Sequence, residues 1–171
     1  MTSGHTLRIS TPSDREIRMT RAFDAPRQLV WEALTRPELL KRWFLGPPGW
    51  DMPVCEIDLR VGGVFRYVWR GQAGTDHAGA ELDLSGVFRE VTPPTRLVNT
   101  ETFEPSWYPG EALVTQELVE HAGTTTLVMT VRYDSREARD GVLRTPMESG
   151  VAAGYDRLDE LLAGQVSATS V

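Results

Sequence analysis

The sequence contains one cysteine, Cys55, and only three histidines. A single cysteine excludes an intramolecular disulfide and a cysteine-ligated metal cluster. His5, His77 and His121 have no spacing typical of metal ligands, so no metal and no cofactor are predicted. Phosphate-binding loops, dinucleotide fingerprints and Gly-x-Ser-x-Gly nucleophile motifs are also missing from the sequence, and with them the common signatures of nucleotide-dependent and hydrolytic enzymes.

Long apolar runs and excess positive charge are lacking as well. No stretch reaches the roughly 20 apolar residues that span a bilayer, so stable membrane insertion is not expected. The formal charge of −6 argues against nucleic acid or an anionic membrane as a partner. Residues 1–12 do not resemble a signal peptide, and we expect a cytoplasmic protein.

Regular side-chain patterns begin at Glu16 and predict an α+β fold. An alternating strand from Glu16 to Phe23 is followed by two short helices, which are separated by Thr35-Arg36-Pro37. About six strands with two-residue periodicity then continue as far as Tyr133. Such an antiparallel sheet needs cover on one face, and a long C-terminal helix is the element that can supply it.

That last helix is predicted from Thr145 to Ala163. Thr145-Pro146-Met147-Glu148 has the pattern of a capping box, and Gly164 is a natural stop. Small residues between Gly150 and Gly154 make the middle of the helix thin, which fits either tight packing or space for a ligand. We expect residues 1–13 and 165–171 to be disordered tails around one domain, residues 14–164.

Several blocks of sequence resemble the START-like, or SRPBCC, superfamily. They are Phe23–Pro26, Val30–Thr35, Pro37–Phe44, Glu56–Gly63, Gly86–Val91 and Pro94–Val98. The branch that they resemble most is named for homology to the activator of the heat-shock protein 90 ATPase. The resemblance implies a helix-grip fold, in which a curved antiparallel β-sheet wraps around the long C-terminal α-helix and encloses a cavity. It supplies no universal catalytic motif.

The alternation on the strands predicts which side chains face that helix. Arg66 and Arg70 should point to water, which turns Phe65, Tyr67 and Trp69 toward the helix. We predict that one set of residues lines a connected, ligand-binding space: Tyr67, Trp69, Asn99, Glu101, Gln116, Met129, Met147 and Val151. Aromatic residues of the short helix and the loops could form its rim or pack as a lid: Trp43, Phe44, Trp50, Trp107 and Tyr108.

Glu101 is the one weak candidate for a catalytic residue. An inward carboxylate without a partner is costly to bury. It could instead lie in water at a strand end, or pair with Arg96 or Arg132. Cys55 is predicted to be a buried, inert thiol, since no adjacent cation lowers its pKa.

Two functional hypotheses of different classes follow. The favoured one is a binding protein that holds a small apolar or aromatic molecule, or a lipid, without transforming it. The alternative is an enzyme that resembles polyketide cyclases and aromatases, with Glu101 as acid or base and Tyr67, Asn99 and Gln116 as orienting groups. A third hypothesis, a protein partner whose chaperone ATPase is activated, follows from the resemblance alone.

Overall fold

The structure, a computed structural model, describes residues 5–169. Within that range the chain forms eight strands and four helices. The strands are β1 (Arg8–Ser10), β2 (Glu16–Phe23), β3 (Trp50–Ile57), β4 (Val64–Gly71), β5 (Glu81–Thr92), β6 (Arg96–Glu104), β7 (Ala112–His121) and β8 (Thr124–Arg132). The helices are α1 (Arg27–Thr35), α2 (Pro37–Trp43), α3 (Arg136–Leu143) and α4 (Met147–Thr169).

The strands form one curved antiparallel sheet in the order β1-β2-β8-β7-β6-β5-β4-β3. Alternation produces one buried and one wetter face, most regularly in β2, where every second residue is buried. Arg66 and Arg70 lie on the outer face, where they pair with Asp83 and Glu81 of β5. The predicted helix-grip fold, with two short helices after the first long strand, is confirmed.

Helix α4 packs against the sheet and the short helices from Tyr155 onward. Leu158 and Leu162 are fully buried, and the Tyr155 ring meets the Phe23 ring edge-on at 5.7 Å. The buried guanidinium of Arg21 on β2 binds Asp156 at 2.7 Å. The N-terminal half of α4 has a different environment, since it borders a cavity instead of the sheet.

The helix boundaries correct two predictions. The Thr145 hydroxyl donates a hydrogen bond to the Val142 carbonyl at the end of α3, so its side chain closes the preceding turn and does not cap α4. Helix α4 does not stop at Gly164 but continues to Thr169, since Val166 still packs against the core. A glycine alone is a weak stop where the next turn can bury an apolar side chain.

The predicted N-terminal tail also contains regular structure. Strand β1 pairs with β2, and Leu7 and Ile9 pack against the core. The described parts of both expected tails, residues 5–13 and 165–169, therefore contain regular structure. Residues 1–4 and 170–171 lie outside the described residues.

Two glycines predict opposite effects of an added methyl group. At Gly150 of α4, a Cβ atom would lie 3.7 Å from Pro47, an ordinary contact. We expect Gly150→Ala to raise the free energy of unfolding by about 0.5–1 kcal/mol, because alanine favours the helix. At Gly86 of β5, a Cβ atom would overlap the Thr100 carbonyl oxygen and lie 2.7 Å from the Phe65 ring. Gly86→Ala should therefore cost about 1–3 kcal/mol.

Urea unfolding of both variants checks this. A destabilised Gly150→Ala variant would show that the N-terminal half of α4 is packed more tightly than the structure indicates.

Candidate functional site

A cavity of about 830 Å³ lies between the inner face of the sheet and the N-terminal half of α4. Its floor is built from rows of side chains that cross the sheet. Leu97 on β6 is opposite Gln116 on β7, which is opposite Met129 on β8 and then Met19 on β2. The cavity opens at a mouth near Pro47 and Trp107, between the helices and the loops.

Every side chain in the predicted inward set lines this cavity: Tyr67 and Trp69 from β4, Asn99 and Glu101 from β6, Gln116 from β7, Met129 from β8, and Met147 and Val151 from α4. The strand register inferred from alternation is therefore the one observed. A slip of one residue would have turned the strand members of this set to the outer face.

The aromatic residues expected at the rim also border the cavity, but they differ in role. Trp43 is almost fully buried and donates its indole N–H to the Ala33 carbonyl, so it is a packing residue. Trp107 is 47% exposed and stacks on Phe103 with ring centroids 4.5 Å apart. Some of these aromatic residues therefore pack inside the protein, as Trp43 does, and others form an exposed rim, as Trp107 does.

Trp50 on β3 and Trp69 on β4 also line the cavity. Trp50 stacks on His77 at 5.0 Å. The indole N–H of Trp69 donates to the Phe44 carbonyl at 2.6 Å, which fixes the chain after α2 at the mouth. His77 was not among the predicted lining residues, because it belongs to the loop after β4, where no periodicity places a side chain.

Glu101 lines the cavity, and no cation among the described residues pairs with it. Arg96, one expected partner, pairs instead with Glu90 at 2.8 Å and Glu117 at 3.3 Å, and Arg132 is exposed. The expected arginine pair is therefore not formed among the described residues. Glu101 keeps part of its surface accessible and lines the cavity. Burial raises the pKa of its carboxyl to about 7, against a smaller lowering by Tyr108.

Two tyrosines accompany this carboxyl. Tyr108, from the connection between β6 and β7, meets Tyr133 edge-on at 4.9 Å. The Tyr108 hydroxyl is near enough to Glu101 to influence its pKa, yet it has no partner at regular hydrogen-bond geometry among the described residues. Desolvation and the nearby Glu101 charge raise the pKa of both phenols, so both stay protonated near neutral pH.

Neither tyrosine was in the predicted ligand-binding set, although Tyr108 was among the aromatic residues expected at the rim. Tyr133 continues the alternation of Met129 and Val131 and could have been included. The position of Tyr108 beside Glu101 could not be predicted, because Tyr108 lies in an irregular connection and is buried through contacts made only in the folded protein.

The amide side chains offer further polar groups. Asn99 donates to the Thr100 carbonyl at 2.9 Å, which orients its amide. The side-chain amide of Gln116 makes no hydrogen bond to any residue in the described range, and Gln116 lines the cavity. The site thus contains a carboxyl, phenols and amides within a mainly apolar wall.

Other chemistry finds little support in the described part of the chain. No group of three or more His, Cys, Asp or Glu side chains there is placed to hold a metal ion. Cys55 is half-buried, and desolvation raises its pKa to about 11, as expected of an inert thiol. None of the described helices is both long and apolar enough to cross a membrane.

An antiparallel sheet that grips a C-terminal helix, with a cavity between them, defines a START-like protein. The chain belongs to the family described as Activator of Hsp90 ATPase homolog 1-like protein, whose sequence profile matches residues 24–163. A search of curated proteins gave no match for this chain.

Solved structures share this fold. A Rhodobacter sphaeroides protein is 34% identical, with a TM-score of 0.84 over 93% of this chain and 99% of that chain. A Nitrosomonas europaea protein is 27% identical, with a TM-score of 0.76 over 92% and 99% of the two chains. A Mycobacterium smegmatis protein at 23% identity shows the fold alone, with a TM-score of 0.78 over 92% and 96%.

The position of Glu101 predicts a pH-dependent stability difference. Its pKa rises from the ordinary 4.5 to about 7 on folding, so folding favours the protonated carboxyl. The stabilisation of the folded state by the protonated Glu101 carboxyl is complete below pH 4.5 and is lost as the pH rises through 7. We expect Glu101→Gln to gain stability relative to the wild type between those pH values, by roughly 3 kcal/mol in total.

Urea unfolding at a series of pH values measures this difference. Glu104→Gln, the same change at an exposed position on the same strand, is the control and should show no such trend. Parallel stability curves for the wild type and Glu101→Gln would contradict the account of a desolvated carboxyl.

Proposed function

We propose that this protein binds a small, largely apolar or aromatic molecule, or a lipid, in the cavity between the sheet and α4. The observation that carries the proposal is the cavity itself, about 830 Å³ and walled mainly by apolar and aromatic side chains. Small-molecule sites are usually clefts of roughly 300–1,000 Å³ with a few placed polar groups. Glu101, Tyr108, Asn99 and Gln116 are such groups here.

The space is costly to maintain when empty, which also favours a binding role. Protein interiors are normally packed without large voids, and unfilled apolar volume forfeits dispersion contacts. The fold could have closed this space with larger side chains at Gly150 or Val151, since both face it from α4. A ligand would restore the missing contacts.

An enzyme of the cyclase or aromatase kind is the second candidate, and one observation favours it. Glu101 has a pKa of about 7, the range in which a carboxyl can both give and accept a proton at neutral pH. Turnover of a bound molecule by the wild type, lost in Glu101→Gln while binding is retained, would establish this alternative.

Chaperone activation is a third candidate, which the family name supports. The cytoplasmic location stays a prediction.

Filling the cavity tests the binding proposal. Val151 is half-buried and lines the cavity, whereas Val119 on β7 is 59% exposed and does not. We expect Val151→Trp to weaken binding of the neutral apolar dye Nile red at least about tenfold, because the indole occupies ligand space. Val119→Trp should bind like the wild type. Fluorescence titration measures both affinities, and far-ultraviolet circular dichroism checks folding.

Native mass spectrometry of freshly purified wild type adds an independent readout, since it detects a co-purified small molecule. Equal Nile red affinity in the wild type and a folded Val151→Trp variant would place the dye outside the cavity and contradict the proposal.

A further inference from the structure

The charges that line the cavity are distributed very unevenly. Glu101 is the one carboxylate among the described lining residues, and neither arginine nor lysine is among them. His77 is the remaining lining side chain that can carry a positive charge, and it stacks on Trp50 at the mouth. An anionic ligand that entered this space would therefore meet a carboxyl and no matching cation.

Two arginines that interact with lining residues, Arg157 with Gly46 and Arg21 with Tyr155, are engaged outside the cavity. Arg157 of α4 donates to the Gly46 carbonyl at 2.6 Å, on the chain segment at the mouth. Arg21 is buried behind Tyr155 and pairs with Asp156 and Asp159. With a net charge of −6, the whole chain also favours the approach of cations over anions.

Geometry places aromatic rings around the Glu101 carboxyl. Glu101 is paired with Ala112 on β7, and the next position across the sheet is Tyr133, just beyond β8. The small Ala112 side chain leaves the carboxyl and the Tyr133 phenol facing one space. Tyr108 lies edge-on to Tyr133 at 4.9 Å and to Phe103 at 6.2 Å, so rings from three segments enclose this end of the cavity.

A carboxylate enclosed by aromatic rings suits one kind of chemical group. A substituted ammonium gains Coulomb attraction from the carboxylate and cation–π attraction from ring faces, both strengthened where water is excluded. A ligand carboxylate would instead be repelled.

We propose that the ligand is an apolar or aromatic amine, whose protonated nitrogen pairs with Glu101 between Tyr108, Tyr133 and Phe103 while its hydrocarbon body occupies the rest of the cavity. This inference rests on the proposed small-molecule function and specifies the chemical class that the site accepts. It excludes fatty acids and other apolar anions as preferred ligands. Neutral apolar molecules bind without using the carboxyl.

The pH dependence follows from the groups that face Glu101. Tyr108 and Tyr133 stay protonated near neutral pH, and α4 contributes Met147 and Val151, which do not ionise. Asp134 lies beyond Tyr108 and accepts a hydrogen bond from the Glu111 backbone. An amine requires the ionised carboxyl of Glu101, so its affinity should fall as the pH is lowered below about 7.

Three probes that share a naphthylmethyl group test the charge preference: 1-naphthylmethylamine, 1-naphthylmethanol and the anion of 1-naphthylacetic acid. We expect calorimetry at pH 8 to show the amine binding roughly tenfold or more tightly than the alcohol, and the anion most weakly. Between pH 8 and 5.5 the amine should weaken while the alcohol stays constant. Glu101→Gln should abolish the preference for the amine, whereas Glu104→Gln should preserve it.

The outcomes separate this inference from the function on which it rests. Equal binding of the amine and the alcohol, unaffected by Glu101→Gln, would overturn the amine class and leave cavity binding intact. Tighter binding of the alcohol or the anion would overturn it too. Binding of none of the probes, together with no loss of Nile red in Val151→Trp, would overturn both proposals.

Discussion

The contact between Arg21 and the middle of α4 is the constraint on which the rest of the site depends. Arg21 projects from β2 with 2% of its side chain exposed, and its guanidinium reaches Asp156 and Asp159 one turn apart. A buried guanidinium is tolerated only with such partners, since an uncompensated charge there would be strongly destabilising. Helix and sheet are therefore held at one fixed separation.

The cavity lies on the N-terminal side of this anchor. Tyr155 fills the space next to Phe23 and Trp43 where the helix is anchored. Nearer its N-terminus, α4 lines the cavity with small residues that include Gly150 and Val151. The same helix thus supplies both the packed core and the cavity wall, and its change from large to small residues marks the boundary between them.

The charged group at the polar end of the cavity, Glu101, is in the opposite situation to the buried Arg21 that anchors α4. Arg21 is matched by carboxylates, whereas no cation among the described residues pairs with Glu101, and desolvation raises the pKa of Glu101 toward neutrality. Natural proteins retain such destabilising groups mainly where function uses them. Arg96, one of the two arginines expected to neutralise it, pairs instead with Glu90 and Glu117.

Much of this arrangement was predictable because successive side chains in a strand point to opposite faces of the sheet. Knowing that Arg66 faces water was enough to turn Tyr67 inward, and the same alternation placed Glu101 and Gln116 in one cavity. The partners of Glu101 were not predictable, because Tyr108 arrives from an irregular connection and Arg96 had two other carboxylates available.

The ends of the elements also escaped prediction. Strand β1 forms because the edge of β2 offers unpaired backbone groups, which side-chain patterns do not record. Thr145 had a carbonyl to bond one turn earlier, and local hydrogen bonds of this kind compete with capping.

The methyl groups of the methionines test the central claim, that ligand binds between the sheet and α4. Met19, Met129 and Met147 line the cavity from three elements, whereas Met52 is buried on β3 away from it. In protein labelled with ¹³C at the methionine methyls, added 1-naphthylmethylamine should shift the signals of the three cavity residues, show nuclear Overhauser contacts to them, and leave Met52 nearly unchanged. Contacts confined to Met52 or to surface residues, with all three cavity methyls unmoved, would contradict the account.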